Sequence, residues 1–221
     1  MKHILTITLV MIASNTTAQM TIDAARDSLV RKYHIGASTY LDQFVGHAGY
    51  GAVVITTSDG GAAAFGDGDE GLNLYKLDKT GKLQWKKKIA RKGTEMEPQC
   101  VVQDSKGNFY LFSLVYGLTS YRGGCERIVY VSKAGTLGFD KQIGTCQMIN
   151  SPTVSYTRTL QDGRVAIRGH VATEKPAEGK DPVYHYWEAW INSTGTLTQK
   201  VGDVLDWSDE KWKKLFAPEA Q

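Results

Sequence analysis

A few stretches of the chain carry side chains whose type and spacing could do chemistry. In G-D-G-D-E-G, residues 66–71, Asp67, Asp69 and Glu70 crowd oxygen ligands into a glycine-rich loop, a donor set suited to Ca²⁺. The twelve-residue calcium loop with its distal bidentate Glu is missing, so the competing reading is a solvated polar loop. No other cofactor is expected. Between residues 168 and 190 the chain reads as a hairpin with a long tip. His170 and His185 are symmetric about position 177.5, as are Arg168 and Trp187, which predicts that each pair sits opposite across the strands. Two imidazoles begin a zinc site, but no third ligand follows, because Glu188 alternates to the other face. Ordinary cross-strand packing is the plainer expectation. Tyr184, Tyr186, Trp187 and Trp190 form the densest aromatic cluster in the chain. They suit a carbohydrate or peptide platform, or the buried core that strand aromatics more often fill.

The three cysteines allow at most one internal bridge. Cys125 and Cys146 have their midpoint at 135.5, on a predicted turn near residues 133–136, so a Cys125–Cys146 disulfide is expected. The alternative is three reduced, buried thiols. No G-x-S-x-G, H-E-x-x-H, phosphate-loop or Cys–His nucleophile pattern occurs.

The elements that would position these residues follow from patterning. The chain opens M-K-H-I-L-T-I-T-L-V-M-I-A-S-N-T-T-A-Q-M, a basic start, a short apolar run and small polar residues. This is a secretory signal peptide with cleavage expected after Ala18, since the run is too short to span a bilayer. No cysteine follows it as a lipid acceptor, and no later segment has about 18 consecutive apolar residues. The formal charge of +3 falls to +2 without Lys2, so nothing marks a nucleic-acid partner. The length beyond residue 18 is enough to bury a core as one all-β domain or two small ones.

Three segments share one pattern. In L-Y-K-L-D-K-T-G-K-L-Q-W-K-K-K-I (74–89), I-V-Y-V-S-K-A-G-T-L-G-F-D-K-Q-I-G (128–144) and E-A-W-I-N-S-T-G-T-L-T-Q-K-V-G (188–202), a strand-like run meets a polar turn, then an alternating run. The turn glycines Gly81, Gly135 and Gly195 recur at spacings of 54 and 60 residues. Glycine in the fourth place suits a short hairpin loop closed by a glycine bulge. Upstream of each lies a second hairpin signature, with D-G or K-G turns at Asp59–Gly60, Lys106–Gly107 and Asp162–Gly163. The predicted unit is four antiparallel strands, repeated three times. Residues 29–35 match the fourth-strand pattern with Leu29, Leu83 and Leu137 each 54 apart, which predicts a strand there, with 21–27 open to helix. Domain limits follow as 1–18 for the signal peptide, 19–205 for the repeats (units about 29–82, 83–136 and 137–203) and 206–221 for a tail. In that tail Ser208 reads as an N-cap, Asp209 and Glu210 fill the first turn, and Lys213 and Lys214 the last, which predicts a short helix. Its Trp212, Leu215 and Phe216 would pack on an exposed sheet edge or dock a partner.

L-D-K-T-G-K-L-Q-W, residues 77–85, resembles the D-x-x-T-G-x-x-x-W stretch of quinoprotein-type (PQQ-like) propeller blades and of secreted bacterial propeller repeats. The likeness covers roughly residues 28–203, but Phe139 and Gln199 stand where Trp85 does. It implies an all-β, propeller-like fold of tandem four-stranded sheets. A quinone-dependent dehydrogenase, as the resemblance implies, needs about eight blades around its site, and three units are too few. Three also fall short of the four that usually close a ring. The sheets are therefore expected to pack as a compact monomer, with a six-bladed homodimer as the alternative.

The expectation for function is a secreted or periplasmic, non-catalytic binding or interaction module with a protein or glycan partner. Two alternatives stand beside it. One is an extracellular polysaccharide-active hydrolase or lyase, which would need Asp67 or Asp69 to converge with Glu174 or Glu178. The other is a structural subunit of an envelope assembly.

Overall fold

The computed structural model describes residues 52–68, 71–90, 96–116, 124–145, 150–174, 176–177 and 180–205. The expected signal peptide, the strand at 29–35 and the C-terminal helix lie outside the described residues. Among the described residues twelve strands follow one another: β1 (Ala52–Thr56), β2 (Ala62–Gly68), β3 (Gly71–Leu77), β4 (Leu83–Lys88), β5 (Met96–Gln103), β6 (Phe109–Tyr116), β7 (Gly124–Val131), β8 (Leu137–Ile143), β9 (Thr153–Thr159), β10 (Val165–Ala172), β11 (Tyr184–Ile191) and β12 (Leu197–Val204). They form three four-stranded antiparallel sheets, β1–β4, β5–β8 and β9–β12, each a meander in chain order. Among the described residues the fold is all-β and propeller-like, with tandem sheets that do not close into a ring.

Local sequence explains the hairpins. The six turns β1–β2, β3–β4, β5–β6, β7–β8, β9–β10 and β11–β12 repeat one pair of backbone bonds. In the β7–β8 turn Gly135 donates to the Ser132 carbonyl at 2.8 Å and Ser132 donates to the Thr136 carbonyl at 2.8 Å. Closing that five-residue loop puts Gly135 at a φ of 81°, where a Cβ is disfavoured. The first turn residue adds side-chain bonds in several copies. Asp78 Oδ1 accepts the Thr80 and Lys82 amides, Asp104 Oδ1 those of Lys106 and Asn108, and Asn192 Oδ1 those of Thr194 and Thr196. Short polar side chains favour such turns by imitating a backbone acceptor.

Two cores hold the sheets together. Phe65, Leu72 and Leu74 of the first sheet bury against Val101, Phe109, Leu111 and Val129 of the second. Tyr110, Phe112 and Ile128, on the second sheet's other face, bury against Val165, Ile167, Trp187 and Ile191 of the third. The first strands of the sheets, β1, β5 and β9, are neighbours. Hydrogen bonds link them: the Ser58 amide donates to Gln103 Oε1 at 2.8 Å, the Thr159 hydroxyl donates to the Gln103 carbonyl at 2.9 Å, and Cys100 Sγ and Thr157 Oγ1 share a bond of 2.9 Å.

A ring contact repeats between sheets. A Cβ on Gly135 would lie 3.2 Å from Trp85, and one on Gly195 would lie 2.9 Å from Phe139. The fourth-strand aromatic of the first and second sheets thus covers the turn glycine of the next sheet. A β-bulge aims it. The β3–β4 ladder shifts between Lys76 and Leu77, and the β7–β8 ladder between Val129 and Val131. One extra residue turns the following side chain to the other face. In the third sheet the ladder runs evenly through Ala189↔Gln199, Trp190↔Thr198 and Ile191↔Leu197, so Gln199 shares the inward face with Ala189. There its Oε1 accepts the Trp187 indole N–H at 3.3 Å. The motif position that changes from Trp85 to Phe139 to Gln199 follows this geometry: the first two rings cover a following sheet, and the third sheet is the last described.

Candidate functional site

In each sheet a single cross-strand pair occupies the middle of the face that looks toward the next sheet, five residues past one turn glycine and seven before the other. That pair is Phe65↔Leu74 in the first sheet, Phe112↔Ile128 in the second and Arg168↔Glu188 in the third. The first two pairs are buried in the intersheet cores. The third is a salt bridge, Arg168 Nε to Glu188 Oε1 at 3.2 Å, with side chains 16% and 20% exposed. An aliphatic–aromatic pair needs a covering sheet to leave water, whereas an ion pair loses solvation if one is laid over it.

Alternation places the rest of that face. Tyr184, Tyr186 and Trp190 share it with Glu188 on β11, and all three are half-buried. His170 and Ala166 lie beside Arg168 on β10, Tyr156 pairs with Arg168 from β9, and Lys200 pairs with Glu188 from β12. The Tyr186 hydroxyl bonds to Glu188, and burial and that carboxylate raise its pKa above the ordinary 10. The His170 ring meets Tyr184 edge-on at 5.1 Å, and burial lowers its pKa below 6.5, which favours the neutral imidazole at pH 7. The result is a charged pair framed by aromatic rings.

Trp187 points the opposite way. It is 2% exposed and packs in the core with Ile167 and Ile191. The aromatic cluster therefore divides into three rings on the outward face and one in the interior.

The two histidines do not face each other as expected. The register pairs His170 with Tyr186 and Val171 with His185, a centre at residue 178. A slip of that size puts the two imidazoles on opposite faces. Nδ1 of His185 bonds instead with the Gly202 carbonyl at 3.2 Å. The expected calcium loop falls at the junction of two strands, since β2 runs through Gly68 and β3 starts at Gly71. Asp67 lies on β2 opposite Leu72, while Asp69 and Glu70 lie outside the described residues. No three His, Cys, Asp or Glu side chains come together as a metal site among the described residues. Of the carboxylates named for hydrolysis, Glu174 is exposed just beyond β10, and Asp69 and Glu178 lie outside the described residues. Cys125 is buried on β7, and Cys146 lies outside the described residues.

Sequence reading did not single out Glu126. It is 1% exposed on β7, faces the third sheet and accepts the Val154 amide at Oε1 at 3.0 Å. Burial, aided by the nearby Glu97 charge, pushes its pKa up to about 7 against the amide's opposing pull. Nearby, burial raises the Cys100 thiol to about 12, which makes it a protonated packing group.

The sequence matches no family model and no curated protein. Solved structures give distant likenesses. The endo-arabinase of Bacteroides thetaiotaomicron VPI-5482 is similar at a TM-score of 0.44 and 15% identity, over 77% of this chain and 66% of that one. A mutant of the Synechocystis apocarotenoid oxygenase is similar at 0.37 and 13%, over 76% of this chain and 37% of that one. The chain spans just under two thirds of the first protein's length and little over a third of the second's. No helix long and apolar enough to cross a membrane is found among the described residues.

Proposed function

We propose that this chain is an exported, non-catalytic binding module on a propeller-like scaffold, and that the outward face of its third sheet engages a protein or glycan partner. The exported location rests on the leader-like first eighteen residues. The binding role rests on the substitution at the centre of that face, where Arg168 and Glu188 replace the Phe–Leu and Phe–Ile pairs of the covered sheets. Aromatic rings beside planar polar groups offer stacking area and hydrogen bonds together. Tyr184, Tyr186 and Trp190 supply the rings.

The test is binding of the purified chain to arrayed glycans and peptides, repeated with Tyr186→Ala and Trp190→Ala. Loss of a wild-type hit in both variants, with unchanged melting temperature, supports the proposal. Turnover of an oligosaccharide that one carboxylate substitution abolishes without unfolding the chain contradicts it.

A further inference from the structure

A second site lies between the first two sheets, at the end of the molecule that carries the β1–β2, β5–β6 and β7–β8 turns. A groove of about 470 Å³ opens there, lined among others by Asp59, Lys76, Gln84, Ser105, Lys106 and Lys133. Its volume lies within the range of ligand sites, roughly 300–1,000 Å³. Its charge is uneven. Lys76 is buried and its ammonium bonds both Asp59 oxygens, at 3.0 and 2.9 Å, and the Leu77 carbonyl at 2.8 Å. Asp59 also accepts the Thr57 hydroxyl and the Gly61 amide, and hydrogen bonds outweigh its slight burial to keep its pKa below the ordinary 3.8. These two charges cancel at the floor.

Lys106 and Lys133 are left as the net charge of the lining. The fold holds them on neighbouring turns. Asn108 Oδ1 accepts the Lys133 amide at 3.1 Å, and the Lys133 stem passes 3.6 Å from where a Gly107 Cβ would be. The nearest other acid in these turns, Asp104, is buried and spends its carboxylate on the Lys106 and Asn108 amides and the Asn108 side chain. The matching turns of the third sheet instead hold Asp162 paired with Arg164, and Ser193. Two exposed ammoniums over a neutral floor, beside the Ser105 hydroxyl and the Gln84 amide, form a polar site for an anion that also carries hydroxyl groups.

We infer that this groove binds a carboxylate-bearing oligosaccharide. Lysine ammoniums act as flexible point charges, which suits carboxylates spaced along a polymer. Gln84 and Ser105 supply donors and acceptors for ring hydroxyls. The site is distant in the fold from Arg168 and Glu188, so its variants leave the third-sheet reading untouched.

The experiment is calorimetric titration of the full chain with tetragalacturonate, a neutral dextran oligomer and polyphosphate, for wild type, Lys106→Gln, Lys133→Gln and Gln84→Ala. The inference expects tetragalacturonate to bind, and each lysine change to weaken it about fivefold, the upper end for one partly screened ion pair. It also expects weakening by Gln84→Ala and no dextran binding. No tetragalacturonate binding overturns the inference, as does polyphosphate binding of equal strength that is indifferent to Gln84→Ala, the mark of adsorption to positive charge. Circular dichroism of each variant separates loss of contact from loss of fold.

Discussion

Ionisation of Glu126 should couple stability to pH. The folded chain holds this carboxyl at a pKa of about 7, against an ordinary 4.5. A raised carboxyl pKa means that the native state binds the proton more tightly than the unfolded chain. Its stabilising contribution is therefore complete below pH 4.5 and is lost as pH rises to 7, after which it is flat. The distance from 4.5 to about 7 corresponds to about 3 kcal/mol, at 1.36 kcal/mol for each tenfold change in proton affinity. Glu126→Gln keeps a carbonyl oxygen for the Val154 amide and cannot ionise. Its new amide donors cost about 1–2 kcal/mol at every pH, because Oε2 has no partner among the described residues. The readout is therefore the difference in pH slope. Urea unfolding of both proteins at pH 4.5 and pH 8 should show the wild type losing about 3 kcal/mol more than the variant. Equal losses would refute the buried, proton-binding state of Glu126.

Further expectations concern the sheets and their contacts. Gly163→Ala, at a φ of 82° with nothing within 4 Å of the added Cβ, should cost about 1–2 kcal/mol for the left-handed backbone alone. Gly135→Ala, at a similar φ but facing Trp85 at 3.2 Å, should cost about 1–3 kcal/mol more by overpacking, as denaturant melts of the two will show. Replacing the central ion pair by Arg168→Phe with Glu188→Leu recreates the pair of the first sheet and should drive self-association through the third sheet, visible as a concentration-dependent mass in size-exclusion chromatography. Non-reducing peptide mapping of the purified, oxidised protein should recover Cys125 bridged to Cys146; two alkylated free thiols would remove that bridge.

Periodicity made the hairpins legible, because each loop needs the same glycine at the same offset and no long-range contact decides it. Matching positions also showed that Phe139 and Gln199 stand where Trp85 does, but not why. The change to Gln199 goes with the place of the bulge: the β11–β12 ladder shifts between His185 and Trp187, away from the turn, and runs evenly past Gln199, and the place of a bulge is invisible when only residue types are compared. The histidine pairing failed for a related reason. Symmetry about an assumed midpoint cannot fix whether a long tip holds an odd or even number of residues, and one residue reverses the faces. Arg168 and Glu188 were within reach, since both sit at fixed offsets from turn glycines where the earlier repeats carry Phe and an aliphatic residue. Glu126 was not, because an acidic residue in an alternating strand reads as solvent-facing until the neighbouring sheet is known to cover it.

The proposal that the third sheet offers its outward face to a partner meets its most direct check in the absolute mass of the purified chain by multi-angle light scattering. A single-chain mass across a hundredfold range of concentration is the predicted result. A stable dimer that dissociates on Tyr186→Ala or Trp190→Ala would mean that a second copy already covers that face, and would contradict it.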